Sequence, residues 1–136
     1  MSFKETLERI EDSKEFRHFK SKNPDAELCA GFFILDFLSN DTKKSLDYKI
    51  GEKIFTFDLT KGEVMMKEDK LMDIPDMPKL EPIIPETKVE LDELKGIVGA
   101  EALDQGVSAK IHKIIAVLQS YQYDNEKLQV WNITCM

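Results

Sequence analysis

The sequence predicts an α+β fold, an antiparallel sheet packed against helices. Three observations carry that expectation. Apolar residues at helical spacing open the chain. A series of alternating segments separated by glycine-containing turns follows, and a second helical stripe leads into two more alternating segments. Runs of strands after each helical stretch, rather than strict strand–helix alternation, separate this class from a parallel α/β sheet.

The first helical stretch covers residues 3–22. Ser2-Phe3-Lys4-Glu5 has the form of a capping box, and Phe3, Leu7 and Ile10 recur on one face. Phe16 and Phe19 resume that stripe after Glu11-Asp12-Ser13, so the stretch is one kinked helix or two short ones, with Ser13 placed to cap the second. Lys20 and Lys22 suit the negative pole of the helix, and Asn23-Pro24 stops it.

Residues 26–38 form the stretch around which the chain is organised. Leu28, Phe32 and Ile34 lie on one alternate face, and Cys29, Phe33, Leu35 and Phe37 on the other. Apolar residues on both faces describe a strand covered on both sides, or a central strand against a helix. Further strands are expected at residues 45–50, 53–59 and 63–67. Gly51-Glu52 is a pair that a tight hairpin uses, and Lys61-Gly62 supplies a second glycine turn. Phe55, Phe57 and Leu59 share a face that should meet a helix, while Ile54, Thr56 and Asp58 face away.

Residues 68–88 change character. They hold Pro75, Pro78, Pro82 and Pro85, interleaved with Met72, Ile74, Met77, Leu80, Ile83 and Ile84. So apolar a segment is expected to pack on the domain as an extended, polyproline-like strap; a proline-rich ligand for a partner groove is the alternative. Thr87-Lys88-Val89-Glu90 is a second capping-box candidate. Leu91, Leu94, Val98 and Ala102 follow at helical spacing, with Leu103, Val107 and Ile111 as a neighbouring stripe. Gly96, Gly99 and Gly106 predict a break near the first two or at the third. Residues 114–118 fit a helix or a buried strand; their β-branched pairs and the turn-rich 123–126 favour a strand. Residues 128–135 then make its hairpin partner, with Leu128, Val130, Asn132 and Thr134 alternating against Gln129, Trp131, Ile133 and Cys135. The organisation expected is 1–67, helix plus meander; 68–88, strap; and 88–136, helix plus hairpin sharing the same sheet in one domain.

The net charge is −7 and the isoelectric point about 4.9. All of that excess lies between Glu68 and Asp104, where eleven carboxylates face four lysines. An acidic chain without a basic face is not built to hold nucleic acid or anionic lipid. The acidic middle is a solvated connector, or a docking face for a basic partner or a cation. No apolar run approaches a membrane span, and the charged start lacks the apolar core of a signal peptide, which points to the cytoplasm. Cys29 and Cys135 are expected as buried free thiols in predicted strands; a bridge requires those strands to be neighbours. Asn132-Ile133-Thr134 matches a glycosylation sequon without a secretory signal to use it.

Lys113-Ile114-Ile115-Ala116-Val117-Leu118-Gln119 and Val130-Trp131-Asn132-Ile133-Thr134 resemble the helix-then-antiparallel-sheet modules of the PepSY type, with a cystatin-like wrap of sheet on helix. Residues 3–67 resemble one such unit, with Asp58-Leu59-Thr60-Lys61-Gly62-Glu63-Val64 at its acidic glycine hairpin; residues 88–135 resemble a second. The resemblance implies one more strand after Thr134, whereas this sequence stops at Met136. Either the first unit completes the sheet or its last edge stays open. Gln129-Val130-Trp131-Asn132-Ile133 departs from the Gln-x-Val-x-Gly loop of cystatin inhibitors, so protease inhibition does not carry over. Modules of this shape imply binding rather than catalysis.

Residue by residue, no catalytic constellation emerges. His18 has nothing beside it to complete a site, and His112 sits where a cation suits a helix end. No phosphate loop or zinc ligand set occurs, and no cofactor or metal is expected. The leading expectation is a non-catalytic binding module, with a partner protein or a second copy added at the last strand and Trp131, Tyr121 and Tyr123 as anchors. The alternatives are a carrier of small hydrophobic ligands, its pocket between helix and sheet lined by Phe32, Phe55 and Phe57, and an enzyme with an unrecognised site.

Overall fold

The computed structural model describes residues 3–36, 42–51, 53–60, 63–70, 81–84, 87, 89–104, 106, 113–123 and 126–135. The fold is α+β. Two short helices, α1 (Phe3–Glu11) and α2 (Lys14–Lys22), precede strands β1 (Glu27–Asp36), β2 (Thr42–Ile50), β3 (Lys53–Thr60) and β4 (Glu63–Lys70). Helix α3 (Leu91–Asp104) leads into β5 (Lys113–Tyr123) and β6 (Glu126–Cys135). All six strands join one antiparallel sheet in the order β4-β3-β2-β1-β5-β6. The N-terminal half therefore completes the sheet of the C-terminal hairpin, through β1 pairing with β5, and β6 is left at one edge.

The helical stretch of residues 3–22 resolves into two helices. Ser13 breaks it and caps the second: its hydroxyl accepts the Phe16 N–H at 3.2 Å and donates to the Ile10 carbonyl at 2.6 Å. Asn23 closes α2 by donating its backbone N–H and side-chain amide to the Phe19 carbonyl. The Ser2 half of the first capping box lies outside the described residues. The second box does not form. Helix α3 begins at Leu91, one turn beyond Thr87, and the buried Thr87 hydroxyl has no hydrogen-bond partner among the described residues. Helix α3 runs through Gly96 and Gly99 and ends at Asp104, two residues before Gly106 at φ 70°. A segment expected as helix or strand at residues 114–118 is strand throughout. Branched side chains at Ile114, Ile115 and Val117 fit its pleated surface and favour that outcome.

Register sorts the side chains into two faces. Leu46, Tyr48, Phe57, Phe33, Leu35, Ile114, Ala116, Leu118, Trp131 and Ile133 share the helix-covered face. Phe16 and Phe19 of α2 pack on Tyr48, Phe55 and Phe57, with ring centroids 4.9–6.4 Å apart. Phe3 of α1 stands edge-on to Phe33 at 6.1 Å and to Trp131 at 6.4 Å. Gly31 makes room for it: a Cβ there would lie 3.1 Å from the Phe3 ring and 3.0 Å from the Phe33 ring. Leu94 brings α3 into the same cluster. Full burial of a phenylalanine contributes about 2 kcal/mol, so Phe3, Phe33 and Phe57, all fully buried, are the main ties between helices and sheet.

Of the two accounts of residues 26–38, the central strand against helices holds. The described helices all pack on one face, and Phe32 and Ile34 on the other are half-buried. A β-bulge between Leu28 and Ala30 takes Cys29 out of simple alternation. The two cysteines are free, with β5 lying between their strands, so the bridge is excluded. Cys29 is buried as expected, but Cys135, the last described residue of β6, is exposed. Phe32 lies on the opposite face from Phe55 and Phe57, so these three do not line one pocket.

Candidate functional site

Strand β6 is the feature on which a binding site can be built. Its inner side is fastened by polar as well as apolar contacts. The Trp131 ring packs on Phe3 and Phe33, and its indole N–H donates to the Val89 carbonyl at 2.9 Å. The Gln129 amide clamps the backbone of Ile84, accepting its N–H at 2.8 Å and donating to its carbonyl at 3.0 Å. Residues 81–84 cross the ends of neighbouring strands. The Ile83 N–H reaches the Leu28 carbonyl at 2.8 Å, the Glu81 N–H reaches the Ser120 carbonyl at 3.4 Å, and Ile83 is buried. This described part of the expected strap does pack on the domain; residues 71–80 lie outside the described residues.

The Glu81 bond also fixes the polarity of the edge. It turns the Ser120 carbonyl away from β6, so Ser120 and Gln129 form a pair that does not exchange backbone hydrogen bonds. Backbone groups alternate along a strand. Val130, Asn132 and Thr134 therefore bond to β5, while Trp131, Ile133 and Cys135 direct their N–H and C=O groups outward. Among the described residues no backbone hydrogen bond reaches those three outward positions. Beside them, Leu128 (47% exposed) and Val130 (36% exposed) stand on the face of the sheet opposite the described helices. From Leu128 to Cys135 the strand carries no charge, proline or glycine.

Of the three anchors expected from sequence, the structure describes the side chain of Trp131. Trp131 points inward, and its donor is occupied. Tyr121 and Tyr123 pair through their backbones with Leu128 and Glu126 of β6; their side chains lie outside the description. The exposed apolar groups of the edge are instead Leu128 and Val130, with Ile84 (56% exposed) on the strap. Alternation had already separated Leu128 and Val130 from Trp131. The aromatic character of Trp131 pointed the other way.

Other chemistry is sparse among the described residues. His18 is exposed on α2, and His112 lies outside the described residues. Cys29 is buried, its thiol 3.4 Å from the Asp47 carbonyl. Burial, and then the Asp47 carboxylate, push its pKa up to about 12, far from a nucleophilic thiolate at neutral pH. Among the described residues no group of three His, Cys, Asp or Glu side chains could hold a metal ion. A cleft of about 690 Å³ lies between Arg9, residues 12–15 and the β3–β4 end at Leu59, Glu63 and Val64. Another of about 400 Å³ is lined by Asp25, Glu27, Cys29, Lys49 and Glu81. Both are open and bordered by charges of both signs, unlike the enclosed apolar cavity that holds a small hydrophobic ligand. No described helix is long and apolar enough to cross a membrane.

Comparison with protein-family models, with curated proteins and with solved structures finds no match to this chain.

Proposed function

We propose that this chain is a non-catalytic binding module that takes an extended polypeptide segment onto the free edge of β6. One observation carries the reading. Outward backbone groups at Trp131, Ile133 and Cys135 lie on an uncharged strand with exposed apolar side chains beside them. Such an edge pairs readily with an added strand: the backbone supplies affinity, and alternate side chains supply selectivity. Helix followed by antiparallel strands occurs twice along the chain, α1–α2 before β1–β4 and α3 before β5–β6. That order supports kinship with PepSY-like and cystatin-like modules as part of the same proposal.

The test uses Ile133→Pro. The Ile133 N–H points away from β5, so proline there removes an outward donor without breaking a ladder bond. Loss of the half-buried isoleucine costs about 1 kcal/mol, and circular dichroism checks that the fold survives. Short random peptides selected on the wild-type protein should lose binding to Ile133→Pro. Selected peptides that bind both proteins equally would place the site elsewhere.

A further inference from the structure

Resting on the β6-edge reading, we infer that the segment it accepts belongs to a different protein and alternates apolar with basic residues. Residues 81–104 carry seven carboxylates and two lysines. Within this stretch Ile84 is held on the inner side of β6 by the Gln129 clamp, and Val89 by the Trp131 bond. Glu90 directly follows Val89, Glu93 stands in the first turn of α3, and both are exposed. The opposite side of the same edge offers Leu128 and Val130.

A strand added to β6 sends successive side chains to the two faces in turn. One set would lie beside Leu128 and Val130 and gain from being apolar. The other would lie on the side of the strap and the start of α3, where a cation meets Glu90 and Glu93. Charge complementarity of this kind selects the partner and speeds its arrival. A second copy of this chain fits less well. Pairing β6 with itself about a two-fold axis normal to the sheet keeps like faces together, bringing Glu90 and Glu93 of both copies to the same side. Lys127 is the only base that β6 itself contributes.

The experiment uses two fluorescent peptides of about ten residues, one alternating valine with lysine and one alternating valine with glutamate, each titrated with the full chain. The valine–lysine peptide should bind at least about tenfold more tightly and weaken between about 50 and 500 mM salt. Glu90→Gln/Glu93→Gln should narrow that preference, and Ile133→Pro should abolish binding. Equal binding of both peptides would overturn the charge inference while leaving the edge in place. Undiminished binding of valine–lysine by Ile133→Pro would overturn the edge and everything resting on it. If neither peptide binds, sedimentation decides. A dimer lost in Ile133→Pro would replace the foreign partner with a second copy, and a monomer throughout would overturn both readings.

Discussion

The two edges of the sheet are built on opposite plans. In β4, five of eight residues are charged (Glu63, Lys67, Glu68, Asp69 and Lys70). Its described attachment to the core is the partly buried Val64, while Met65 and Met66 are exposed. Charges along an edge repel strand addition. In β6 the charges stop at Lys127, and the remaining eight residues are neutral. Its inner side is fastened by Trp131, Ile133 and Gln129. One edge has few described apolar contacts of its own and is protected by charge; the other is fastened by a ring, an isoleucine and a glutamine and carries no charge beyond Lys127. A docking strand benefits from the second plan, because a rigid template loses less entropy when a partner adds to it.

The largest effect that separates the edges is expected from truncating their inner side chains. Trp131→Ala removes the ring that bridges Phe3 and Phe33 and strands the Val89 carbonyl. Truncation of a large core aromatic costs about 3 kcal/mol; the half-buried position keeps Trp131 near or just below that figure. Met66→Ala, at 49% exposure on β4, should stay within about 0.5 kcal/mol. Urea denaturation of the two variants measures the contrast. Equal losses would mean that β6 is no better anchored than β4 and is not a rigid template.

Much of this contrast was written in the sequence, but not the part that makes β6 an edge. Phe16, Phe19, Phe55 and Phe57 declared their shared face through spacing alone, and the structure packs them together. The Gly51 turn was equally legible, and its φ is 57°. Neighbour order was not. Periodicity tells which side chains share a face, whereas the pairing of β1 with β5 depends on contacts about eighty residues apart in sequence. In β6 both alternate sets contain apolar residues, Leu128 and Val130 against Trp131 and Ile133. The side chains that reach Phe3 and Phe33 go inward, a choice visible only once α1 is in place. The Thr87 box failed for a local reason: the chain there lies against β6 through Val89, delaying the helix until Leu91.

A middle-sized effect should come from the clamp. Gln129→Ala removes two hydrogen bonds to Ile84. Each net hydrogen bond contributes about 1 kcal/mol, less where water can replace it. The Ile84 site is exposed, so a total near 1 kcal/mol is expected. Hydrogen exchange at the Ile84 amide should accelerate by more than global destabilisation explains, because its acceptor is the deleted side chain. An unchanged rate would mean that residues 81–84 are held by Ile83 alone.

The smallest effect belongs to the protected edge. Lys53 on β3 and Glu68 on β4 sit opposite-charged 3.5 Å apart, with side chains 64% and 53% exposed. An exposed pair of this kind contributes at most about 0.5 kcal/mol, and salt screens it. Glu68→Gln should therefore leave the unfolding midpoint nearly unchanged. The charge matters on β4 for what it prevents rather than for what it binds. Replacing Lys67 and Glu68 together by valine should leave stability close to wild type while making the protein associate at high concentration, as light scattering would register. If the doubly neutral edge stays monomeric, then charge is not what distinguishes β4 from β6, and the difference must lie in how rigidly each strand is held.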